Sequence, residues 1–148
     1  MTEVVQLRTG RGGARPGSGR KPKHRKPDWI PVVELKGHFV YVIHEADDPS
    51  VCKIGWATDP FKRLCAHQVS TWRRLKIAAL ISFSSDELAG VVESATHSAL
   101  SGLHVSGEWF RVSPERAEGE IVAIAQAMSF PVSKLDLAAP KPAENQVA

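Results

Sequence analysis

Apolar and polar positions are arranged most tellingly between Gly37 and Gly55. Phe39, Tyr41 and Ile43 interleave with Val40 and Val42, so both faces of this run are apolar, as in a strand covered on both sides. Val51-Cys52-Lys53-Ile54-Gly55 forms a second run. The intervening His44–Ser50 stretch is polar and ends in turn formers, which predicts an antiparallel pair at about residues 38–44 and 51–55. Gly55 is expected to turn the backbone sharply. Thr58-Asp59-Pro60 then supplies a helix cap and a first-turn proline, predicting a helix over about 60–68. Phe61, Leu64 and Cys65 share one side of that helix, and Arg63 and His67, four apart, share another.

Further on, Ile77–Phe83 reads as a buried central strand. Ser84 and Glu87 fit a capping box that opens a helix running to about Gly102. Its predicted apolar stripe is Leu88, Val92, Ala95 and Ala99, with Glu93 and His97 beside it. Gly107–Val112 reads as a short extended segment. Ser113-Pro114-Glu115 opens a last helix whose predicted inner face is Ile121, Ile124, Ala125 and Met128. Trp29–Val33 is a candidate edge segment, limited by Pro31. The pattern gives one domain over 31–131, between an arm at 1–30 and a flexible tail at 132–148.

Charge sharpens this division. Residues 1–30 hold eight Lys and Arg against two acids, while the whole chain is only +3, so the body is net acidic. The arm is rich in Gly, Pro and cations and buries too little to offset the entropy of ordering, so it reads as disordered. Arg11, Arg15, Arg20, Lys21, Lys23, Arg25 and Lys26 are its candidate nucleic-acid contacts, with Arg73 and Arg74 in the body. Gly19-Arg20-Lys21-Pro22 partly resembles an AT-hook, and Gly13–Arg20 is similar to leaders of phage packaging proteins. A merely solubilising arm is the alternative. No apolar run has the length of a membrane span, and no apolar leader segment is seen at the N-terminus. Two cysteines without an export signal lead us to expect reduced thiols and a cytoplasmic protein with no membrane partner.

The hairpin, Lys53-Ile54-Gly55, Asp59-x-x-x-Arg63-Leu64, Glu93-x-x-x-His97 and Gly107-Glu108-Trp109-Phe110 occur in order. Together they resemble the GIY-YIG nuclease superfamily, in its phage-type branch, over about residues 37–113. The resemblance implies an α/β (α+β) fold with a small central three-stranded antiparallel sheet flanked by helices. It further implies a metal-dependent endonuclease that hydrolyses DNA phosphodiester bonds, using one Mg²⁺ or Mn²⁺ ion. On that basis Tyr41, Arg63, His67 and Lys53 are catalytic candidates and Glu93 is the metal ligand. Lys53 stands where the second motif has a tyrosine, and the asparagine that some members carry near the C-terminus has no match.

Each of these residues has a chemical rationale and a plainer alternative. Mg²⁺ keeps much of its water shell, so one carboxylate, Glu93, suffices to hold it; otherwise Glu93 is a helix-surface acid. Arg63 offers a planar fork for a phosphate or is an exposed helix arginine. Tyr41 is a general base or a core tyrosine, and Lys53 is expected to lower its pKa, hold a phosphate or point to solvent. His67 shuttles a proton or sits on the helix surface. His97 orients Glu93 or packs, and Glu108 is a further candidate beside them. Trp109 and Phe110 read as core. Structural zinc on Cys52, Cys65, His67 and His97 is not expected, because no standard ligand spacing is present. A catalytically weak DNA-binding or phage accessory module of the same fold is the alternative function.

Overall fold

A computed structural model of the chain describes residues 29–30 and 35–137. The elements run β1 (Phe39–Glu45), β2 (Asp48–Ala57), α1 (Pro60–Gln68), β3 (Leu75–Ser82) and α2 (Asp86–Ala99). After a 3-10 turn at Ser101–Leu103 come β4 (His104–Ser106), β5 (Trp109–Phe110), α3 (Pro114–Ala127) and β6 (Ser133–Lys134). The strands form one sheet in the order β4-β5-β2-β1-β3-β6, with every neighbouring pair antiparallel.

This corrects the expected three-stranded sheet. The α+β character holds, but among the described residues the sheet has six strands. The central three are those the hydrophobic pattern predicts. The additional three are two or three residues long, too short to show a period, and β6 is Ser-Lys with no apolar residue at all. They are fixed by their neighbours: β5 pairs with Cys52 and Lys53, and β6 with Ile81 and Ser82. The sheet therefore continues past residue 131, through Leu135, whose N–H donates to the Leu80 carbonyl at 3.0 Å.

β1 is covered on both faces, as its composition requires. Val40 and Val42 pack with Ile54, Ala79 and Ile81 against Ala89 and Val92 of α2 and Ala117, Ile121 and Ala125 of α3. Phe39, Tyr41 and Ile43 face the other way, onto Leu64 of α1, Leu80 and Ile30. A fully buried side chain of this size contributes about 1.5–3 kcal/mol, against about 0.5–1.5 kcal/mol for a typical hydrogen bond. The two-sided core can therefore carry polar groups at one edge of the sheet without unravelling.

Local signals set the helix ends. Asp59 caps α1, its side chain accepting from the Lys62 N–H at 3.2 Å, and Ser113 caps α3 by accepting from the Arg116 N–H at 3.1 Å. At α2 the cap is Ser85, not Ser84: its hydroxyl oxygen accepts from the Leu88 N–H at 3.2 Å. That places Asp86 and Glu87 in the first turn, where the helix dipole favours them. The buried positions shift with the cap to Ala89, Val92 and Thr96, and Ala99 is exposed. Thr96 is tolerated inside because its hydroxyl donates to the Val92 carbonyl at 2.7 Å. In α3, Ala117 joins Ile121 and Ala125 inside, while Met128 is at the surface.

One buried polar residue escapes any hydrophobic pattern. The Gln68 amide nitrogen donates to the carbonyls of Thr71 (3.2 Å) and Arg73 (2.7 Å), and its oxygen accepts from the Leu75 N–H (2.9 Å). It thereby clasps the loop between α1 and β3. Gln68→Ala strands these buried groups and is expected to lower unfolding free energy by about 2 kcal/mol. Urea unfolding with an unchanged midpoint would disprove the clasp.

Candidate functional site

β5 pairs with β2 only at Cys52 and Lys53, so among the described residues no strand covers this side of β2 from Gly55 to Ala57. Ile54 is closed off individually. Its N–H donates to the Glu108 carbonyl at 3.0 Å, and its carbonyl accepts from His97 Nε2 at 2.8 Å. Beyond it lies a cleft of about 360 Å³ lined by Tyr41, Trp56, Ala57, Thr58, Arg63, Glu93 and Glu108. The stretch Ala57–Ala66, with Asp59, Lys62 and Arg63, lines a further cavity of about 260 Å³ that shares Ala57, Thr58 and Arg63 with the cleft. Side chains from both faces of the sheet thus meet where its edge is open.

Gly55 lies inside β2, opposite Tyr41, and not in a turn as expected. A Cβ there would collide with the Tyr41 hydroxyl and ring, and would lie 2.9 Å from Glu108 Oε1. The glycine is needed for that close approach. It lets the tyrosine ring lie across β2 and reach the cleft.

The Tyr41 hydroxyl lies 3.3 Å from His67 Nε2. Burial pushes the Tyr41 pKa up, Glu108 and Glu93 push it further up, and Arg63 opposes them. The expectation that Lys53 lowers it is therefore corrected. Lys53 Nζ instead lies 3.4 Å from Glu108 Oε1 and 5.6 Å from the Trp109 ring centre. Burial lowers the His67 pKa, with Lys53 and Arg63 adding to the effect. Both shifts favour a neutral phenol donating to a neutral imidazole nitrogen.

Glu93 is held above the ordinary carboxylate range, chiefly by burial and further by Glu108, with His97 and Lys53 opposing. His97 Nε2 is 3.8 Å from Glu93 Oε2, beyond hydrogen-bond range, since its proton goes to Ile54. Its ring packs on Phe110 with centres 4.9 Å apart. His97 therefore ties α2 to β2 beside Glu93.

Among the sequence candidates, the structure brings Tyr41, Arg63, Glu93 and Glu108 to one cleft, with His67, Lys53 and His97 touching these residues or their neighbours. Arg73 and Arg74 do not line it. Arg73 pairs with Glu45 at 3.3 Å, and Arg74 lies 4.4 Å from the Trp29 ring centre. Arg11, Arg15, Arg20, Lys21, Lys23, Arg25 and Lys26 lie outside the described residues. Trp56 and Thr58 also line the cleft; Trp56 was missed because β2 was expected to end at Gly55 and in fact runs to Ala57.

Among the described residues, no group of three or more His, Cys, Asp or Glu encloses a metal ion. Cys52 is buried and its thiol pushed up to about 12, which disfavours the thiolate a metal would need. The donors that do share the cleft, Glu93 and Glu108, are hard oxygen ligands that suit a hydrated Mg²⁺ or Mn²⁺ completed by substrate.

The T5orf172 domain model matches residues 38–126, well over half of the chain. The chain belongs to the T5orf172 domain family. This membership replaces the GIY-YIG resemblance, which names a different fold family. Two of the five short motifs, Lys53-Ile54-Gly55 and Gly107-Glu108-Trp109-Phe110, answer structural demands of this sheet. Gly55 makes room for Tyr41, Ile54 is core, and Trp109-Phe110 pairs with Lys53 and Cys52. No curated protein and no solved structure matches the chain. The T5orf172 match contains every residue that lines the cleft. Among the described residues, no helix is long and apolar enough to cross a membrane.

Proposed function

We propose that this T5orf172 domain is an endonuclease that hydrolyses DNA phosphodiester bonds in the cleft, with one Mg²⁺ or Mn²⁺ ion. The observation that carries this reading is the convergence of Tyr41, Arg63, Glu93 and Glu108 on a single open cleft. Arg63 binds the scissile phosphate through its guanidinium fork and stays charged as negative charge builds up. Glu93 would hold the cation, with Glu108 beside it in the cleft, and Lys53 balances Glu108. Bound there, the cation would supply Lewis-acid polarisation of the phosphate and a more acidic water. Tyr41 and His67 relay the proton: as the water oxygen bonds to phosphorus it gives its proton to the phenol oxygen and the phenol proton passes to His67 Nε2, while the bond from phosphorus to the leaving sugar oxygen breaks and solvent water protonates that oxygen. The lowered His67 pKa keeps that nitrogen open at neutral pH.

Supercoiled plasmid incubated with Mg²⁺, Mn²⁺ or EDTA tests this. Metal-dependent nicking is expected for the wild type, reduced by about 100-fold or more in Arg63→Ala and Glu93→Gln. Equal residual cutting in all three proteins would mean a contaminant. A salt-sensitive gel shift without cutting by the wild type would leave a binding module and overturn the enzymatic reading.

A further inference from the structure

Trp72 is 85% exposed, more than any other large hydrophobic side chain among the described residues. An indole in that position adds almost nothing to folding. Its loop is nevertheless firmly built. Gln68 holds the carbonyls of Thr71 and Arg73 on either side of it, the Arg73 N–H donates to Thr71 Oγ1 at 3.0 Å, and the Ser70 hydroxyl donates to the His67 carbonyl at 2.9 Å. The outward display of Trp72 is therefore fixed by backbone hydrogen bonds and is not a loose excursion. The Arg73 guanidinium lies 4.8 Å from the Trp72 ring centre, and next in the chain Arg74 lies 4.4 Å from the Trp29 ring centre. The loop continues directly from α1, the helix that carries Arg63 and His67.

We propose that Trp72, with Arg73 and Arg74, is a binding site for an unpaired nucleotide of the DNA strand. The indole stacks on the base, and the guanidinium groups meet the neighbouring phosphates. The proposal rests on the DNA reading above and adds a preference to it. A base inside a duplex offers no open face to an indole, whereas every unpaired base does. Arg73 beside this ring and Arg74 beside the Trp29 ring favour a polyanion over an apolar protein partner. Because α1 leads straight into this loop, a strand gripped here is registered relative to Arg63, which gives the domain a means of selecting nicked, frayed or single-stranded DNA.

Fluorescence anisotropy in EDTA, with a labelled oligothymidylate and a blunt duplex of equal length, tests this on the full chain. Trp72→Ala is expected to bind the single strand about ten-fold or more weakly. Trp72→Phe should restore most of the loss, and duplex affinity should change little. The salt slope should be unchanged in both variants, because no charge is removed. Single-strand binding should quench wild-type indole emission more than that of Trp72→Phe. Circular dichroism of the exposed-site variants should match wild type. Unchanged single-strand affinity in Trp72→Ala, or an equal loss on both substrates, would overturn the stacking site alone. Failure of the wild type to bind either DNA would overturn the stacking site together with the DNA reading.

Discussion

Gly55→Ala is expected to cost about 1–3 kcal/mol of stability, as overpacking of a tight interior does, and to abolish most cleavage. The added methyl meets the hydroxyl and ring of a tyrosine that is 2% exposed. Tyr41 cannot swing aside, because its ring is packed among Phe39, Ile43, Leu64 and Leu80. Glu108 is also crowded, but it is exposed enough to move. Strain should therefore fall on the Tyr41–His67 contact. Guanidinium unfolding and plasmid nicking on the same preparation measure both effects. A variant that is destabilised but fully active would show that Tyr41 is only core. A variant as stable as wild type would show that the sheet relaxes around the methyl.

Glu93→Gln is expected to do the reverse: cleavage is lost while stability at neutral pH rises. The sign follows from linkage. Burial holds the folded Glu93 pKa above its unfolded value, so between the two the native state binds more protons than the unfolded chain. Stability supplied by the protonated group is present below the unfolded pKa of about 4.3 and is lost as pH rises through the raised folded value. Above that, the ionised carboxylate opposes folding. Wild type and Glu93→Gln should melt together in acid and separate as pH increases, with the variant higher. Melting temperatures between about pH 4 and pH 8 test this. A variant less stable than wild type at pH 8 would mean that contacts near His97 and Lys53 outweigh desolvation. Stability sacrificed for a charged group in a cleft is what a working site exacts.

The same pair of variants shows how much of the molecule was legible in its sequence. The β1–β2 pair, α1 and the positions of Arg63 and Glu93 follow from alternation, caps and helical spacing. These signals are local and the structure keeps them. Gly55 was noticed for the wrong reason: a glycine after a strand-like run suggests a turn, and only the opposite residue, Tyr41, reveals that it is making space. The ion partner of Lys53 was equally hidden, since Glu108 reaches it from a hairpin with no period of its own. Ser85 displaced Ser84 as the cap by a single residue, which two adjacent serines cannot distinguish. Gln68 and Trp72 break the apolar pattern in opposite directions, one polar and buried, the other aromatic and exposed. Such exceptions carry the most information about function and the least periodic signal.

The brevity of β5 has a consequence for how this domain can diversify. A hairpin longer by two or three residues at the Gly107–Glu108 turn would zip along β2 past Ile54 and seal the sheet. The result would be a sturdier scaffold with nothing to offer a ligand. Conversely, insertions there that stay unpaired would roof the opening and alter what enters it. The turn is thus a dial between inert and receptive versions of one architecture, and length variation at that point is where a library of variants would find new specificities.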